Sequence, residues 1–222
     1  MKRLFAGFVA LVFVVGCAKK GNDDPKKSET PEVSVSAQQP AAPTSPPSAR
    51  GAAPTIEGEA TPEEGLAAAK AGAKALAGAL KGRLMSAMQE GGPDGAMEAC
   101  AAEASSLTSA VGSTRLRVGR STLRLRNPKN AEAPEWVKAW LAKTGERKAE
   151  GVAGLEEVVA GTARVLVPLP VGGLCLACHG STDSHSEAMK NVLASRYPND
   201  KATGYENGDL RGALWAEFDL RP

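Results

Sequence analysis

Three residues in the C-terminal third of the chain carry the most specific chemistry in this sequence. Cys175 and Cys178 stand three positions apart, and His179 directly follows the second cysteine. The pattern Cys-x-x-Cys-His is typical of covalent haem c attachment. Two thiols at this spacing can add to the two vinyl groups of a haem, and the adjoining imidazole can bind the iron. We therefore predict one covalent haem c, with Cys175 and Cys178 forming thioethers and His179 serving as an axial ligand.

The N-terminus predicts an exported lipoprotein. A charged start is followed by the apolar stretch Leu4–Val15, which is too short to span a bilayer comfortably, and a small residue then precedes Cys17. This arrangement resembles the lipobox of bacterial lipoproteins, so we predict a signal peptide over residues 1–16 and diacylation of Cys17. The acyl chains would hold the protein on the periplasmic side of a bacterial membrane. Ala18 favours the outer over the inner membrane.

Three other kinds of site could use the same cysteine pair. The two thiols could form a local disulfide or a thioredoxin-like redox pair. They could also supply half of a structural zinc site that Cys100 and His185 complete. Haem c is favoured over these alternatives because covalent haem attachment takes place outside the cytoplasm.

The second axial position has more than one candidate. His185 is attached to the same loop as His179 and would have to wrap around the macrocycle, so we do not expect it there. Cys100 lies on the inward face of a predicted helix and is left over in an oxidising compartment. A thiolate ligand would explain this unpaired cysteine, and so would a small cysteine of the core. Spacing alone leaves the two interpretations of Cys100 open. Methionines are further candidates, although each is more often core filler; they are Met85, Met88, Met97 and Met189.

The elements that must position these residues mix helices and strands without a regular βαβ alternation, so the predicted fold class is α+β. Apolar spacing predicts helices over 63–90, from Pro93, from Pro134 and over 187–195. Strands are predicted over Thr114–Val118 and Leu123–Arg126 with a bulge or turn at Gly119, over 155–159 and 163–169 as a hairpin, and over Leu210–Leu220.

Composition limits the remaining possibilities. The chain has 27 Lys and Arg against 25 Asp and Glu, and two of its basic residues lie in the predicted signal peptide, so the rest is formally neutral. This balance argues against nucleic acid as a partner. Residues 17–62 contain the lipidated cysteine and a linker rich in Pro, Ala and Ser, which we expect to be a disordered tether. Residues 63–222 are the expected folded domain.

From about residue 75 to 222 the chain resembles a family of exported c-type haem domains that was first catalogued as a domain of unknown function. The resemblance rests on four motifs in order: Met88–Cys100, Val118–Asn130 with Trp136, Cys175–Gly180, and Tyr197–Tyr205 continuing to Gly208–Gly212. It implies a PAS-like antiparallel sheet with N-terminal helices, a single haem c, and an axial pair of His179 and Cys100.

The second motif is rich in arginine. Arg120 and Arg126 are our candidates for contacts with the haem propionates, because a guanidinium fork matches a carboxylate. For the other arginines of this stretch a solvated strand face is the expected role.

Two functions follow from these expectations. The first is a lipid-anchored haem c protein that carries one electron to or from a partner protein. The alternative is a redox or small-gas sensor that signals through a partner when the second axial ligand is lost. We recognise no acid–base pair or activated nucleophile in the sequence, so we do not expect an enzyme.

Overall fold

The computed structural model describes residues 56–222. The predicted signal peptide, the lipidation at Cys17 and nearly all of the predicted tether lie outside the described residues. In the described part, four helices and four strands follow one another along the chain. Their bounds are α1 Pro62–Val111, β1 Leu116–Ser121, α2 Glu135–Thr144, β2 Leu155–Val159, β3 Thr162–Pro170, α3 Gly173–His179, α4 Glu187–Arg196 and β4 Leu210–Asp219.

Helix α1 consists of two helical halves joined at a kink. Thr61 caps its start in a capping box with Glu64. The backbone leaves helical geometry at Gly91 and Gly92, and Gly92 has a φ of +60°, which favours glycine. The Arg83 guanidinium binds the Glu103 carboxylate through two hydrogen bonds of 2.8 and 2.9 Å, so the two halves face each other. The predicted pair of helices with a break at Gly91–Gly92 is therefore confirmed.

The four strands form one antiparallel sheet in the order β1-β4-β3-β2. Ala160 and Gly161 connect β2 to β3, with φ of 51° and 77°. Two successive positive φ values are typical of the tight turn that suits the twist of a hairpin. The predicted hairpin, and the α+β class with an antiparallel sheet preceded by helices, are confirmed.

The prediction at Gly119 was wrong. Strand β1 runs through Gly119 without a break, with Gly119 opposite Trp215 of β4. A Cβ at this position would collide with the Trp215 indole, so the glycine provides room for a large ring. Beyond Ser121 the backbone forms bends that lead to a short 3-10 helix, Pro128–Ala131, and the predicted strand Leu123–Arg126 is absent from the described structure.

Helices cover both faces of the sheet. The first half of α1 packs on one face of the sheet. There the Leu116 side chain comes so close to Gly72 that a Cβ on this glycine would lie only 2.9 Å from it. Helix α2 packs on the other face through Val137 and Leu141. Strand β4 is central in the sheet and is therefore buried on both faces.

The remaining elements form a smaller, more polar region at one end of the sheet. Helix α3, helix α4 and the segment before β4 pack on the second half of α1, around Met97 and Met189. Across residues 56–222, no helix combines the length and apolar character needed to cross a membrane.

Candidate cofactor site

Helix α3 presents the two motif cysteines one helical turn apart. Cys175 and Cys178 are both half-buried and both free thiols. Burial raises the pKa of Cys178 to about 11, although the nearby Arg126 charge lowers it. The two thiols therefore lie on one face of a short helix, and the described structure contains no disulfide between them.

The His179 imidazole is held by a backbone carbonyl. Its Nδ1 lies 2.7 Å from the carbonyl oxygen of Ala202. Because a carbonyl can only accept, Nδ1 carries the proton and Nε2 keeps its lone pair. Burial, followed by the charge of Arg211, lowers the pKa of His179 well below its usual value, so the ring is neutral at pH 7. A neutral imidazole with its other nitrogen hydrogen-bonded in this way is the typical arrangement of a metal-ligating histidine.

Residues 200–205, here called the clasp loop, hold the end of α3. The amide of Tyr205 donates to the carbonyl of His179 at 2.9 Å, and the amide of Gly204 donates to the carbonyl of Gly180 at 2.7 Å. The Tyr205 ring meets the His179 ring edge to face, with centroids 6.3 Å apart. The two backbone hydrogen bonds thus fix the end of α3, and the Tyr205 ring contacts the imidazole itself.

Arg126 joins the clasp loop to α3. Its guanidinium forms an ion pair with Asp200 at 3.0 Å, and both side chains are only 9% exposed. The same guanidinium donates to the carbonyl of Cys178 at 2.7 Å and to that of Ala202 at 3.3 Å. The donors of Arg126, which the sequence predicted for a haem propionate, are thus directed at protein acceptors in this structure.

Cys100 lies in the same electrostatic environment as the motif. It sits half-buried in the second half of α1, where burial raises its pKa and the charges of Arg120, Arg83 and Arg126 oppose that rise. Cys178 packs against the cluster that contains Met97, one helical turn before Cys100, and Arg120 and Arg126 also act on His179. The fold therefore brings Cys100 into the neighbourhood of the haem motif although 75 residues separate it from Cys175 along the chain.

Arg120 has no hydrogen-bond or ion-pair partner among residues 56–222. Burial lowers the pKa of its guanidinium, which shows that part of its hydration is lost. The side chain borders a cavity of about 660 Å³ between the second half of α1, strand β1 and the segment after it. Ala104 and Thr108, one and two helical turns beyond Cys100, line the same cavity.

The predicted zinc alternative finds no support in this geometry. Within the described residues, no three His, Cys, Asp or Glu side chains lie close enough together to hold a metal ion. His185 is 5% exposed, and both of its ring nitrogens are buried without a hydrogen-bond partner from residues 56–222.

Sequence reasoning did not single out Arg211, although it lies inside the fourth motif of the resemblance. Its Nη1 donates to Thr122 Oγ1 at 2.9 Å, to the Arg124 carbonyl at 3.3 Å and to the Tyr205 hydroxyl at 3.5 Å. Arg124 and Arg211 both stack on the Tyr205 ring, at 4.2 and 5.2 Å from its centroid. The only sequence signal was the arginine directly before Gly212 in that motif.

The residues present fit a c-type haem. Two free thiols lie one turn apart, a neutral imidazole has a free nitrogen, and a cysteine and several guanidiniums lie nearby. The donor set is thus the one that covalent attachment, axial ligation and propionate binding require.

Comparison with known proteins gives one family match and one structural likeness. A family profile described as Tll0287-like matches residues 36–217, a range that contains all four motifs quoted above. The crystal structure of the cyanobacterial heme-protein Tll0287 is 19% identical in sequence, with a TM-score of 0.39 over 62% of this chain and 92% of that one. No curated protein matches the chain.

Proposed function

Because the chain belongs to the Tll0287-like family, we propose that it binds one haem c covalently and serves as a one-electron carrier. The observation that carries this proposal is the His179 imidazole, held at Nδ1 by the Ala202 carbonyl beside the free thiols of Cys175 and Cys178. The structural neighbour's description as a heme-protein agrees with it.

Haem, when bound, supplies an iron that changes its oxidation state by one electron. The protein's own residues orient and insulate it: Cys175 and Cys178 tether it, and the Ala202 carbonyl keeps His179 in the tautomer that leaves Nε2 free. The clasp loop limits rotation of the imidazole. We assign no substrate turnover to this arrangement.

Cys100 is the proposed second axial ligand. It shares Arg120 and Arg126 as electrostatic neighbours with His179. Burial raises the pKa of the Cys100 thiol, and the charges of these two arginines oppose that rise. A thiolate ligand lowers the reduction potential of a haem relative to a neutral ligand.

The test uses full-length protein matured together with a haem c assembly system. We expect a single one-electron wave in potentiometric titration, and a low-spin ferric EPR signal that Cys100→Ser converts to a different species. Ala101→Ser, at the next position of the same helix, is the control and should leave the signal unchanged. An unchanged ferric spectrum in Cys100→Ser would refute the axial assignment.

A sensor acting through a partner protein is the second candidate, and the kink of α1 favours it. Gly91 and Gly92 separate the helical half that packs on the sheet from the half that carries Cys100. Loss of the Cys100 ligand could therefore change the position of one half alone. Ligand exchange on reduction, seen as a five-coordinate ferrous Soret band, would support sensing, and a six-coordinate ferrous spectrum would support electron transfer.

For location, we propose attachment to the periplasmic side of the outer membrane through acylated Cys17. Cys17 lies outside the described residues, so this proposal rests on the sequence pattern. Labelling with a fatty-acid analogue should mark the wild-type chain and not Cys17→Ser. Membrane fractionation of both chains then distinguishes the outer from the inner membrane.

A further inference from the structure

Two guanidiniums beside the candidate site have neither an anionic partner nor a filled pair of fork donors within residues 56–222. The Arg120 side chain makes no hydrogen bond there, and Arg211 donates only to the neutral oxygens of Thr122, Arg124 and Tyr205. Arg124 also lacks an anion, but its Nε and Nη2 donate to the carbonyls of Lys201 and Thr203. Arg126, in contrast, is matched by Asp200 at 3.0 Å. A partly desolvated cation without an anion is costly, so an anion from a ligand would stabilise both unmatched arginines.

Arg211 reaches the site through an irregularity of strand β4. Strand β3 pairs Leu169 with Gly212 and Pro170 with Leu210, so Arg211 is the extra residue of a β-bulge. A bulge bends its strand and re-aims the side chain of the extra residue. The bulge therefore explains how Arg211 leaves the regular alternation of β4.

Gly212 makes this geometry possible. Its φ is +148°, and a Cβ there would collide with the carbonyl oxygen of Ser121 on the neighbouring strand. Only glycine avoids both the strain and the collision. The sequence Arg211-Gly212 thus allows the bulge that places the Arg211 guanidinium at the end of the sheet.

The unmatched cations converge on the two candidate axial ligands. Arg120 lines the same cavity as Ala104 and Thr108, which belong to the half of α1 that carries Cys100. Arg211 lies 5.2 Å from the centre of the Tyr205 ring, which in turn contacts the His179 ring.

We propose that Arg211 is a propionate-binding residue of the haem site and acts together with Arg120, while Arg126 serves to hold the clasp loop. A haem carries two propionate carboxylates, one for each of the two guanidiniums here whose fork donors are unfilled. Each carboxylate would form an ion pair with one arginine. The Nε and Nη2 donors of Arg211 have no protein acceptor within the described residues and are available for this pair. This inference rests on the proposed function, since it requires bound haem.

The first experiment measures the propionate bending modes of matured full-length protein by resonance Raman spectroscopy. Arg211→Gln and Arg120→Gln should each shift one propionate band, and Arg211→Lys should shift it less because it keeps the charge and loses the fork. Arg147→Gln is the matched control: it removes the same charge from an exposed side chain and should leave the bands unchanged.

The second experiment measures discrimination between haemin and its dimethyl ester. The full chain with Cys175→Ala and Cys178→Ala is titrated with each porphyrin and followed at the Soret band. We expect this chain to prefer haemin, and Arg211→Gln to reduce that preference about tenfold, the effect of one charged hydrogen bond.

The outcomes separate the two proposals. If the wild type carries covalent haem but Arg211→Gln alters neither the propionate bands nor the preference for haemin, the inference about Arg211 is overturned and the haem proposal stands. If the matured wild type carries no haem, both are overturned. Should Arg211→Gln fail to fold, Arg211→Lys decides: unchanged propionate bands in that variant overturn the inference.

Discussion

The sheet and the clasp loop are stabilised by different interactions. On the α1 face of the sheet, apolar side chains such as Phe218 and Ala216 are almost completely buried and pack on alanines and glycines of the helix. Around the clasp loop, the stabilising contacts are hydrogen bonds to backbone carbonyls, an ion pair and guanidiniums stacked on a ring. An apolar core is stable whatever ligand is present, whereas a polar, partly unmatched cluster gains stability when a ligand completes it. Under the proposed function, we therefore expect the clasp loop and its neighbours to respond to the cofactor more than the sheet does.

The largest effect is expected in the sheet. Phe218→Ala should lower the free energy of unfolding by about 3–5 kcal/mol, since it removes a buried ring and leaves a cavity. The loss should be the same in the haem-loaded protein and in the chain with both motif cysteines replaced by alanine. Urea denaturation measures it, with Val159→Ala on an exposed position as the control. A loss that depended on haem would remove the contrast between the two regions.

A smaller loss is expected for the ion pair of the clasp loop. Arg126→Met should cost about 3 kcal/mol, because it leaves the Asp200 carboxylate buried without a counter-charge. The double variant Arg126→Met with Asp200→Leu should recover part of this loss. Arg117→Met is the matched control and should cost less than about 1 kcal/mol, since the Arg117 side chain is 63% exposed. Equal losses for the two arginines would show that burial does not set the cost.

His185 makes the stability of the folded protein sensitive to acid. Burial lowers the pKa of its imidazole below the usual 6.5, so the unfolded chain binds more protons as the pH falls below that value. Stability is therefore fully present above pH 6.5 and declines towards the lower pKa of the folded state. His185→Leu should add about 1 kcal/mol at pH 7, because it removes two buried nitrogens without partners, and it should flatten the decline.

Thermal unfolding of the haem-loaded protein between pH 5 and 8 measures the effect of His185→Leu (a range set by the ordinary histidine value). Met189→Leu, a neutral change in the adjacent apolar cluster, is the control and should keep the wild-type slope. An unaltered slope in His185→Leu would contradict the assignment of acid sensitivity to this residue.

The smallest effect is expected for an exposed pair on α2. Lys138 binds Glu135 at 2.7 Å, and the two side chains are 45% and 88% exposed. Lys138→Ala should change the unfolding free energy by less than about 0.5 kcal/mol. A loss of more than about 1 kcal/mol in urea denaturation would contradict the expectation that exposed ion pairs contribute little to stability.

Several elements of the fold could be predicted because their signals are local. The break at Gly91–Gly92, the β2–β3 hairpin and the helix after Pro134 each carry turn residues or apolar periodicity within the element itself. Gly119 was misread because a glycine between strand-forming residues indicates a bulge by local rules, whereas its actual reason is the Trp215 ring on another strand. The close packing of α1 at Gly72 depends in the same way on a distant residue, Leu116.

The candidate site divides in the same manner. The motif Cys175 to His179 is contiguous and was predicted from its spacing. Cys100 became a candidate ligand because it was the cysteine left without a partner and because the family resemblance implied it. The Ala202 carbonyl that holds His179 is a backbone group and leaves no trace in residue type. The direction of the Arg211 side chain depends on the strand register, which the sequence of β4 alone does not determine.

Covalent haem attachment is tested most directly by acidified acetone extraction of purified, matured full-length protein, followed by the alkaline pyridine spectrum of the precipitate. We predict that the pigment stays with the wild-type polypeptide at one haem per chain, with a spectrum of two thioether bonds, and that Cys175→Ala with Cys178→Ala releases it into the acetone. A colourless wild type, or pigment extracted from it by acetone, would contradict the account.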